Sequence, residues 1–279
     1  MHTAPPTGRT PAEQTPAAPA PATQTERRAY LIRRLLAEDE RLRAASAPAD
    51  EQEQRRLLRA LLNVRPPAPA DDAFLAVQDA YLREEIRARG ITDADALPAD
   101  DEGLCLWQGD ITTLRCDAIV NAANSGMTGC YVPNHRCIDN CIHTFAGVQL
   151  RLECARLMER QGHDEPTGGA KITPAYNLPC RHVLHTVGPI VHGGAPTRRN
   201  RDDLAGCYRS CLQLAARHGL RSVAFCCIST GEFRFPAEEA ARIAVATVRE
   251  CLREKTSVRK VIFNVFTDRD RRIYESLLG

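Results

Sequence analysis

The chain has 279 residues, and its 37 Lys and Arg residues nearly balance 35 Asp and Glu residues, for a net charge of +2. The length suits one or two domains, and the charge gives no bulk field that would attract nucleic acid or a membrane surface. The first 24 residues hold no apolar run long enough for a signal peptide, and no later segment could span a bilayer. The chain has twelve cysteines, which lie in core-like strings such as residues 224–228. In the absence of an export signal we expect most of them to be reduced, buried thiols and the protein to be cytoplasmic.

Residues 1–26 consist mainly of Ala, Pro, Thr and Gln. Such a segment cannot bury enough apolar surface to offset its ordering entropy, so we expect a disordered tail.

Residues 27–100 are predicted to form a small helical extension. Leu31, Leu35 and Leu36 form one apolar stripe, and a second leucine stripe begins at Leu57. Asp71 and Asp72 can cap a third helix, which Gly90 would end. The segment contains no catalytic cluster, and we interpret it as a packing cap on a larger domain.

Residues 101–279 alternate between apolar strands and amphipathic helices. Strands are predicted over residues 104–107, 118–120, 183–186, 223–228 and 261–266, and helices over residues 138–159, 201–218, 236–253 and 269–278. This pattern favours an α/β fold with helices on both faces of the sheet. Ligands in such folds bind beyond the carboxyl ends of the strands, where residues 121–124, 229–235 and 267–268 would meet.

Cys130, His135 and Cys137 could bind one Zn²⁺ and leave its fourth tetrahedral position open, as in catalytic zinc sites. Two thiolates would neutralise the charge of the ion and make it a mild Lewis acid. The spacing is not a strong zinc signature. Incidental thiols, or a disulfide between Cys130 and Cys137, would also explain it.

Asn124 and Asp139 are candidate polar groups at the same edge. Asp139 falls in the first turn of a predicted helix, where it could activate a water or simply complement the helix dipole. Asn124 could bind sugar hydroxyls or close an Asx-turn. Gly231 follows another strand, and the amides from Gly231 to Phe233 could bind a diphosphate.

These stretches together resemble the macrodomain family of ADP-ribose-binding α/β proteins. The resemblance covers residues 104–279 and is carried by motifs that occur in order along the chain: Gly109-Asp-Ile-Thr112, Asp117-Ala-Ile-Val-Asn-Ala-Ala-Asn124, Ile138-Asp-Asn-Cys-Ile-His143, His185-Thr-Val-Gly-Pro189 and Ile228-Ser-Thr-Gly231. It implies a three-layer fold, with a mixed central sheet flanked by helices.

One stretch departs from the common hydrolytic members of that family. Where they have a run of glycines, this chain has Gly129-Cys-Tyr-Val-Pro-Asn-His-Arg-Cys137. This substitution resembles the zinc-containing macrodomains, which also carry an N-terminal helical extension. The resemblance therefore implies one zinc ion per chain, bound by Cys130, His135 and Cys137.

The resemblance also implies roles for individual residues. Asp110 would accept a hydrogen bond from adenine, and Phe266 would pack on the adenine face. Asn124 would bind the distal ribose, and Asp139 matches the acid that activates water in the glycine-rich hydrolases, although zinc could replace it in that role. The full set of implied ADP-ribose contacts is Asp110, Ile111, Asn121, Asn124, Ser229, Thr230, Gly231, Glu232, Phe233 and Phe266.

The implied activity is a zinc-dependent hydrolase that removes mono-ADP-ribose from protein side chains, with Asp and Glu esters as the expected linkage. Its partners would be ADP-ribose and mono-ADP-ribosylated proteins, with neither nucleic acid nor membrane. An O-acetyl-ADP-ribose deacetylase, a non-catalytic ADP-ribose reader and a purely structural metal are the alternatives. A reader needs neither an open metal position nor Asp139, so the presence of both favours an enzyme.

Overall fold

The computed structural model describes residues 23–279. Most of the predicted tail, residues 1–22, lies outside the described residues. The predicted tail extends to residue 26, but residues 24–26 form the first turn of a helix. Thr23 and Glu26 form a capping box there, in which each side chain accepts a hydrogen bond from the other's backbone amide.

The extension consists of the helices α1 (Gln24–Glu38), α2 (Glu51–Val64) and α3 (Asp72–Ala88). Asp50 caps α2 and Asp71 caps α3 through their carboxylates, as acidic N-cap residues commonly do. The apolar stripes of the three helices pack into one small core, which contains Leu31, Ile32, Leu35, Leu36, Leu58, Leu61, Leu62, Phe74, Val77, Tyr81 and Leu82. The predicted helical unit is therefore present.

The remainder of the chain is built on a six-stranded mixed sheet. Its strands are β2 (Leu104–Gln108), β4 (Ala118–Ala123), β5 (Ala170–Pro174), β6 (His182–Val187), β7 (Ser222–Phe225) and β8 (Lys260–Val265). Two short strands, β1 (Thr92–Asp93) and β3 (Leu114–Arg115), lie outside this sheet. The strand order is β2-β8-β7-β4-β6-β5, and only the edge pair β5–β6 is antiparallel. The two short strands β1 and β3 pair separately in parallel.

Helices flank this sheet. They are α4 (Ile138–Ala146), α5 (Val148–Gln161), α6 (Arg198–Arg217), α7 (Ala237–Arg253) and α8 (Asp268–Leu278). The helices α6, α7 and α8 pack on one another in sequence, whereas α4 packs on α5, on β4 and on the extension. The predicted mixed sheet flanked by helices is confirmed.

The prediction of a single helix over residues 138–159 is wrong, because Gly147 divides this segment into α4 and α5. Gly147 has φ of +99°, which favours glycine. A Cβ at this position would meet polar side-chain atoms of Gln149, Gln78 and Asn177 at 2.6 to 3.0 Å. Gly147 thus allows Gln78 of the extension to lie close to the turn between α4 and α5.

Several strand boundaries also differ from the prediction. The strand β4 runs on through Asn121 to Ala123, because these residues stay in register with His185, Thr186 and Val187 of β6. The strand β7 ends at Phe225 rather than at residue 228. The edge strand β5 was missed, because its sequence AKITP carries little apolar character.

The extension and the sheet-containing part share a buried interface. Val148 of α5 belongs to the core of the extension, and its amide donates to Gln78 of α3. The buried guanidinium of Arg151 donates to the carbonyls of Leu62, Asn63 and Arg65 at distances of 3.3, 2.7 and 2.5 Å. These carbonyls lie at the C-terminus of α2, where a helix lacks internal donors.

None of the helices in residues 23–279 is both long enough and apolar enough to cross a membrane.

Candidate functional site

The predicted site residues follow the carboxyl ends of the parallel strands β2, β4, β7 and β8, which are neighbours in the sheet. The chain after β2 is held to the end of β8, since the amide of Gly109 donates to Val265 at 3.1 Å and Asn264 donates to Gly109 at 2.9 Å. Phe266 follows β8 directly and is 77% exposed. The structure therefore brings these loops to one edge, as the sequence predicted.

Asp110 caps a short 3₁₀ turn, Ile111–Thr113. Its Oδ1 accepts from the amide and the hydroxyl of Thr112 at 2.9 and 2.6 Å. Its Oδ2 accepts from Arg89 at the end of α3, at 2.8 Å. Ile111 is 2% exposed beside it. The carboxylate is therefore held in one orientation from both sides, and its role toward adenine remains a prediction.

Asp139 lies in the first turn of α4 and is held by two asparagines from β4 and the following loop. Nδ2 of Asn121 donates to its Oδ1 at 2.8 Å, and Nδ2 of Asn124 donates to its Oδ2 at 3.2 Å. Burial raises the pKa of Asp139 to about 6, although the hydrogen bond from Asn121 acts in the opposite direction. The continuation of β4 through Asn121 thus brings both predicted catalytic residues, Asn124 and Asp139, into hydrogen-bond contact.

Two buried histidines lie behind this carboxylate network. Nε2 of His143 is 3.5 Å from Oδ1 of Asp139, and burial lowers the pKa of His143 well below its usual value. Burial also lowers the pKa of His185 to about 3. His143 and His185 lie near Cys154 in a second group with metal-ligand atoms. However, the ring nitrogens of His185 already contact Asn121 and Thr173 at 3.1 and 3.0 Å, which favours a core hydrogen-bond network.

The predicted metal ligands Cys130, His135 and Cys137 come together at the N-terminus of α4. Their Sγ and ring nitrogen atoms all lie within 4.8 Å of one another, and the three side chains are half-buried. Cys137 is also the N-cap residue of α4 and accepts from the amide of Asn140 at 3.4 Å. All twelve cysteines fall within the described residues and are free thiols, so Cys130 and Cys137 do not form the alternative disulfide.

The geometry of these side chains fits a zinc ion. Sγ of Cys130 is 3.6 Å from Nδ1 of His135. Tetrahedral zinc bonds of about 2.3 Å to sulfur and about 2.0–2.1 Å to nitrogen place two such ligands about 3.6 Å apart. The set contains three protein ligands, so a tetrahedral ion held by them would have one open position. The zinc itself remains a prediction.

The loop after β7 presents a row of backbone amides. Ser229 and Arg234 have φ of +64° and +57°, and the amide of Phe235 closes the loop on the carbonyl of Ser229 at 2.9 Å. Within residues 23–279, the amides of Gly231, Glu232 and Phe233 donate to no other backbone carbonyl. Adjacent amides without protein acceptors are able to bind an anion, and the diphosphate role of this loop remains a prediction.

Gly188 supports this loop from the end of β6. A Cβ on Gly188 would lie 2.0 Å from Oγ of Ser229 and 2.9 Å from Cγ2 of Ile228, so a larger residue would force these side chains to shift. Oγ of Ser229 is buried and has no hydrogen-bond partner among the described residues. The side chain of Thr230 instead donates to the carbonyl of Cys227 at 3.0 Å.

The amide loop and the metal ligands are adjacent. Oε1 of Glu232 lies 3.5 Å from Nε2 of His135. The site therefore combines free amides, the Asn124–Asp139 pair and the candidate metal ligands along one edge. The sequence interpretation missed Arg89, the supporting role of Gly188, and contacts from α2. Of these, only Gly188 could have been found from the sequence, because it lies in the macrodomain-like motif His185-Thr-Val-Gly-Pro189.

Comparison with known proteins identifies the family of the chain. The Macro domain family model matches residues 120–244. A Treponema medium protein named protein-ADP-ribose hydrolase is 58% identical over 261 residues, which cover 92% of this chain and 100% of that protein. A Staphylococcus aureus (strain MSSA476) protein of the same name is 52% identical, and the match covers 82% of this chain and 86% of that protein.

The fold is also similar to solved structures. The crystal structure of a Trypanosoma brucei macrodomain in complex with ADP-ribose superimposes with a TM-score of 0.61 at 31% identity, covering 79% of this chain and 95% of that chain. Because the sequence match to the Treponema protein extends over nearly the whole chain, the relationship is not limited to one motif. The chain belongs to the Macro domain family.

Proposed function

We propose that this protein is a zinc-dependent hydrolase that removes mono-ADP-ribose from modified protein side chains, with Asp and Glu esters as the linkage it cleaves. The names of the Treponema and Staphylococcus relatives support the hydrolase class. The observation that carries the proposal is the 3.5 Å contact between Glu232 and His135. It supports the proposal because the loop whose amides would bind the diphosphate lies directly beside candidate metal ligands.

The amide loop would bind the diphosphate of ADP-ribose, because its free N–H groups at Gly231, Glu232 and Phe233 favour negative charge. Asp110 would accept from adenine, and the exposed ring of Phe266 would cover the adenine face. This arrangement would direct the distal ribose toward Asn124. The ester bond to the protein side chain would then lie near Asp139.

Asp139 would orient a water or accept its proton, and the two asparagine amides would keep its carboxylate aimed at that position. Cys130, His135 and Cys137 would hold the zinc ion. When bound there, zinc would supply Lewis-acid polarisation of an oxygen at the fourth position, moderated by the two thiolates. A non-catalytic reader would need neither the open position nor the buried acid.

The experiment incubates the protein with Asp/Glu-, Ser- and Arg-linked mono-ADP-ribosylated proteins and measures released ADP-ribose. We expect release from the Asp/Glu-linked substrate, loss of release with a chelator, and recovery on addition of zinc. Cys137→Ala should lose zinc and activity, whereas Cys251→Ala, in α7 and away from the site, should retain both. Binding of ADP-ribose without release from any substrate would indicate a reader. Full activity of metal-free protein would refute the zinc dependence.

A further inference from the structure

The segment that carries the candidate metal ligands, residues 129–137, contains no helix or strand. We call it the metal loop. Its backbone includes Asn134 at φ of +57°, an uncommon conformation for a residue other than glycine. A loop of this kind needs other groups to hold its backbone if its ligands are to keep a fixed geometry.

One set of contacts comes from α4. The buried side chain of Asn140 donates through Nδ2 to the carbonyls of Cys130 and Val132, at 3.2 and 3.1 Å. These bonds hold the first half of the metal loop against the helix that follows it. They leave the second half, which carries His135, to be held by another element.

That element is α2 of the extension. Oδ1 of Asn63 accepts from the amide of Asn134 at 2.9 Å, and its Nδ2 donates to Oγ1 of Thr144 at 2.8 Å. The guanidinium of Arg59 donates through one nitrogen to the carbonyl of His135 at 2.8 Å and to Oδ1 of Asn140 at 3.1 Å. The helix thus binds the backbone of His135 and of the residue before it.

The burial of these contacts makes them specific. Asn63 is 1% exposed, and among residues 23–279 its side-chain Nδ2 and Oδ1 bond to α4 and to the metal loop, respectively. Arg59 connects the metal loop to Asn140, the same side chain that holds the first half of the loop. Both halves are therefore joined in one hydrogen-bond network. Groups that orient metal ligands in this way tune affinity and geometry.

We propose that Arg59 and Asn63 are positioning residues that set the geometry of the Cys130, His135 and Cys137 metal site. The inference rests on the zinc site of the proposed function. It assigns the extension a part in metal binding that goes beyond covering the larger domain, because α2 supplies hydrogen bonds that the metal loop cannot form by itself.

The test compares Arg59→Met and Asn63→Ala with a matched control, Arg55→Met. Arg55 lies one turn earlier on α2 and pairs with Glu51 and Glu85 inside the extension, away from the metal loop. A fourth variant, Arg59→Lys, keeps the positive charge and one donor nitrogen. Full-length proteins are used throughout, and thermal melting shows that each variant is folded.

The first measurement is zinc affinity, by competition with a chromophoric chelator. We expect Arg59→Met and Asn63→Ala to bind zinc about 10–100-fold more weakly than the wild-type protein, the usual effect of removing an outer partner of a metal ligand. Arg59→Lys should recover part of the loss, and Arg55→Met should bind as the wild-type protein does. The second measurement is the visible absorption of the Co²⁺-substituted proteins, whose band positions and intensities report the ligand geometry. These bands should change in Arg59→Met and Asn63→Ala only.

Wild-type affinity and unchanged cobalt bands in both variants would overturn the proposal, as would an equal loss in Arg55→Met. A wild-type protein that binds neither zinc nor cobalt would overturn it together with the zinc part of the proposed function. A wild-type protein that binds metal but hydrolyses no substrate would refute the proposed hydrolase alone. The positioning roles would then still be decided by the affinities and spectra.

Discussion

Oε1 of Glu232 lies 3.5 Å from Nε2 of His135, while Nδ1 of the same imidazole faces Cys130 at 3.6 Å. The two ring nitrogens therefore face different partners: a thiol of the candidate metal set and a carboxylate of the amide loop. A metal-ligating histidine commonly donates its other N–H to a carboxylate, which fixes its tautomer. We expect Glu232 to do this for His135, a role separate from that of its backbone amide.

Glu232→Ala should weaken zinc binding by about 10-fold or more, because His135 would lose the partner that orients its ring. Chelator competition measures the change. Glu238→Ala, on the exposed first turn of α7, is the control and should bind zinc as the wild-type protein does. Equal zinc affinities in the two variants would show that Glu232 does not act on His135.

Asp139→Asn should separate the contribution of the carboxylate from that of the metal. The substitution replaces one acceptor oxygen with an N–H donor that faces Asn121 or Asn124, so we expect a loss of stability of about 1–3 kcal/mol in denaturant unfolding. Zinc and ADP-ribose binding should remain. A general base contributes about 10²–10⁴-fold to the rate of a reaction. We expect Asp139→Asn to lower the hydrolysis rate by less than this, because the metal ligands replace the glycine run that would position the water. A variant that is inactive yet loaded with zinc and ADP-ribose would make Asp139 the larger contributor.

Asp110→Ala should weaken ADP-ribose binding by about 1–3 kcal/mol, the loss expected for a hydrogen bond to a charged group. Isothermal titration measures the affinity. Asp93→Ala is a matched control, because Asp93 also caps a short 3₁₀ turn, Ala94–Ala96, but pairs with Arg115 instead of with Arg89. If the two variants bind ADP-ribose equally well, adenine does not contact Asp110.

The protein should lose stability as the pH falls from 7 to 5. His185 has a folded pKa of about 3, below its usual value of 6.5, so the unfolded state binds more protons within this window. His185 alone should account for about 2 kcal/mol of the loss. Asp139, with its pKa raised to about 6, acts in the opposite direction and offsets part of it. Denaturant unfolding at both pH values measures the change, and His185→Gln should show a smaller one.

Much of the site could be predicted because its signals are local in sequence. Asn124, Asp139 and Gly231 each follow a strand or begin a helix, and the carboxyl ends of parallel strands necessarily meet at one edge. The extent of β4 could not be predicted this way. Asn121 is polar, and only its pairing with His185 of β6 and its hydrogen bond to Asp139 explain why it lies inside the sheet.

The contacts from the extension were not predictable for a different reason. Arg59, Asn63 and Arg89 lie on helix faces that read as ordinary polar surface, and their partners lie at least 21 residues away in the chain. No periodicity connects such positions. Gly147 gave only a weak signal, since an isolated glycine within an amphipathic pattern is often tolerated.

The guanidinium of Arg151, buried against the last carbonyls of α2, has a consequence for cooperativity. Truncation within the proline-rich residues 66–69, which removes α1 and α2, would take away the carbonyl acceptors of this guanidinium. A charge that loses its partners is strongly unfavourable unless the surrounding structure opens to water. The extension and the sheet-containing part are therefore coupled in unfolding, although composition marks a boundary between them. A fragment beginning at β1 would expose Val148, Phe145 and an unpaired guanidinium together, so the boundary in sequence is not a boundary in stability.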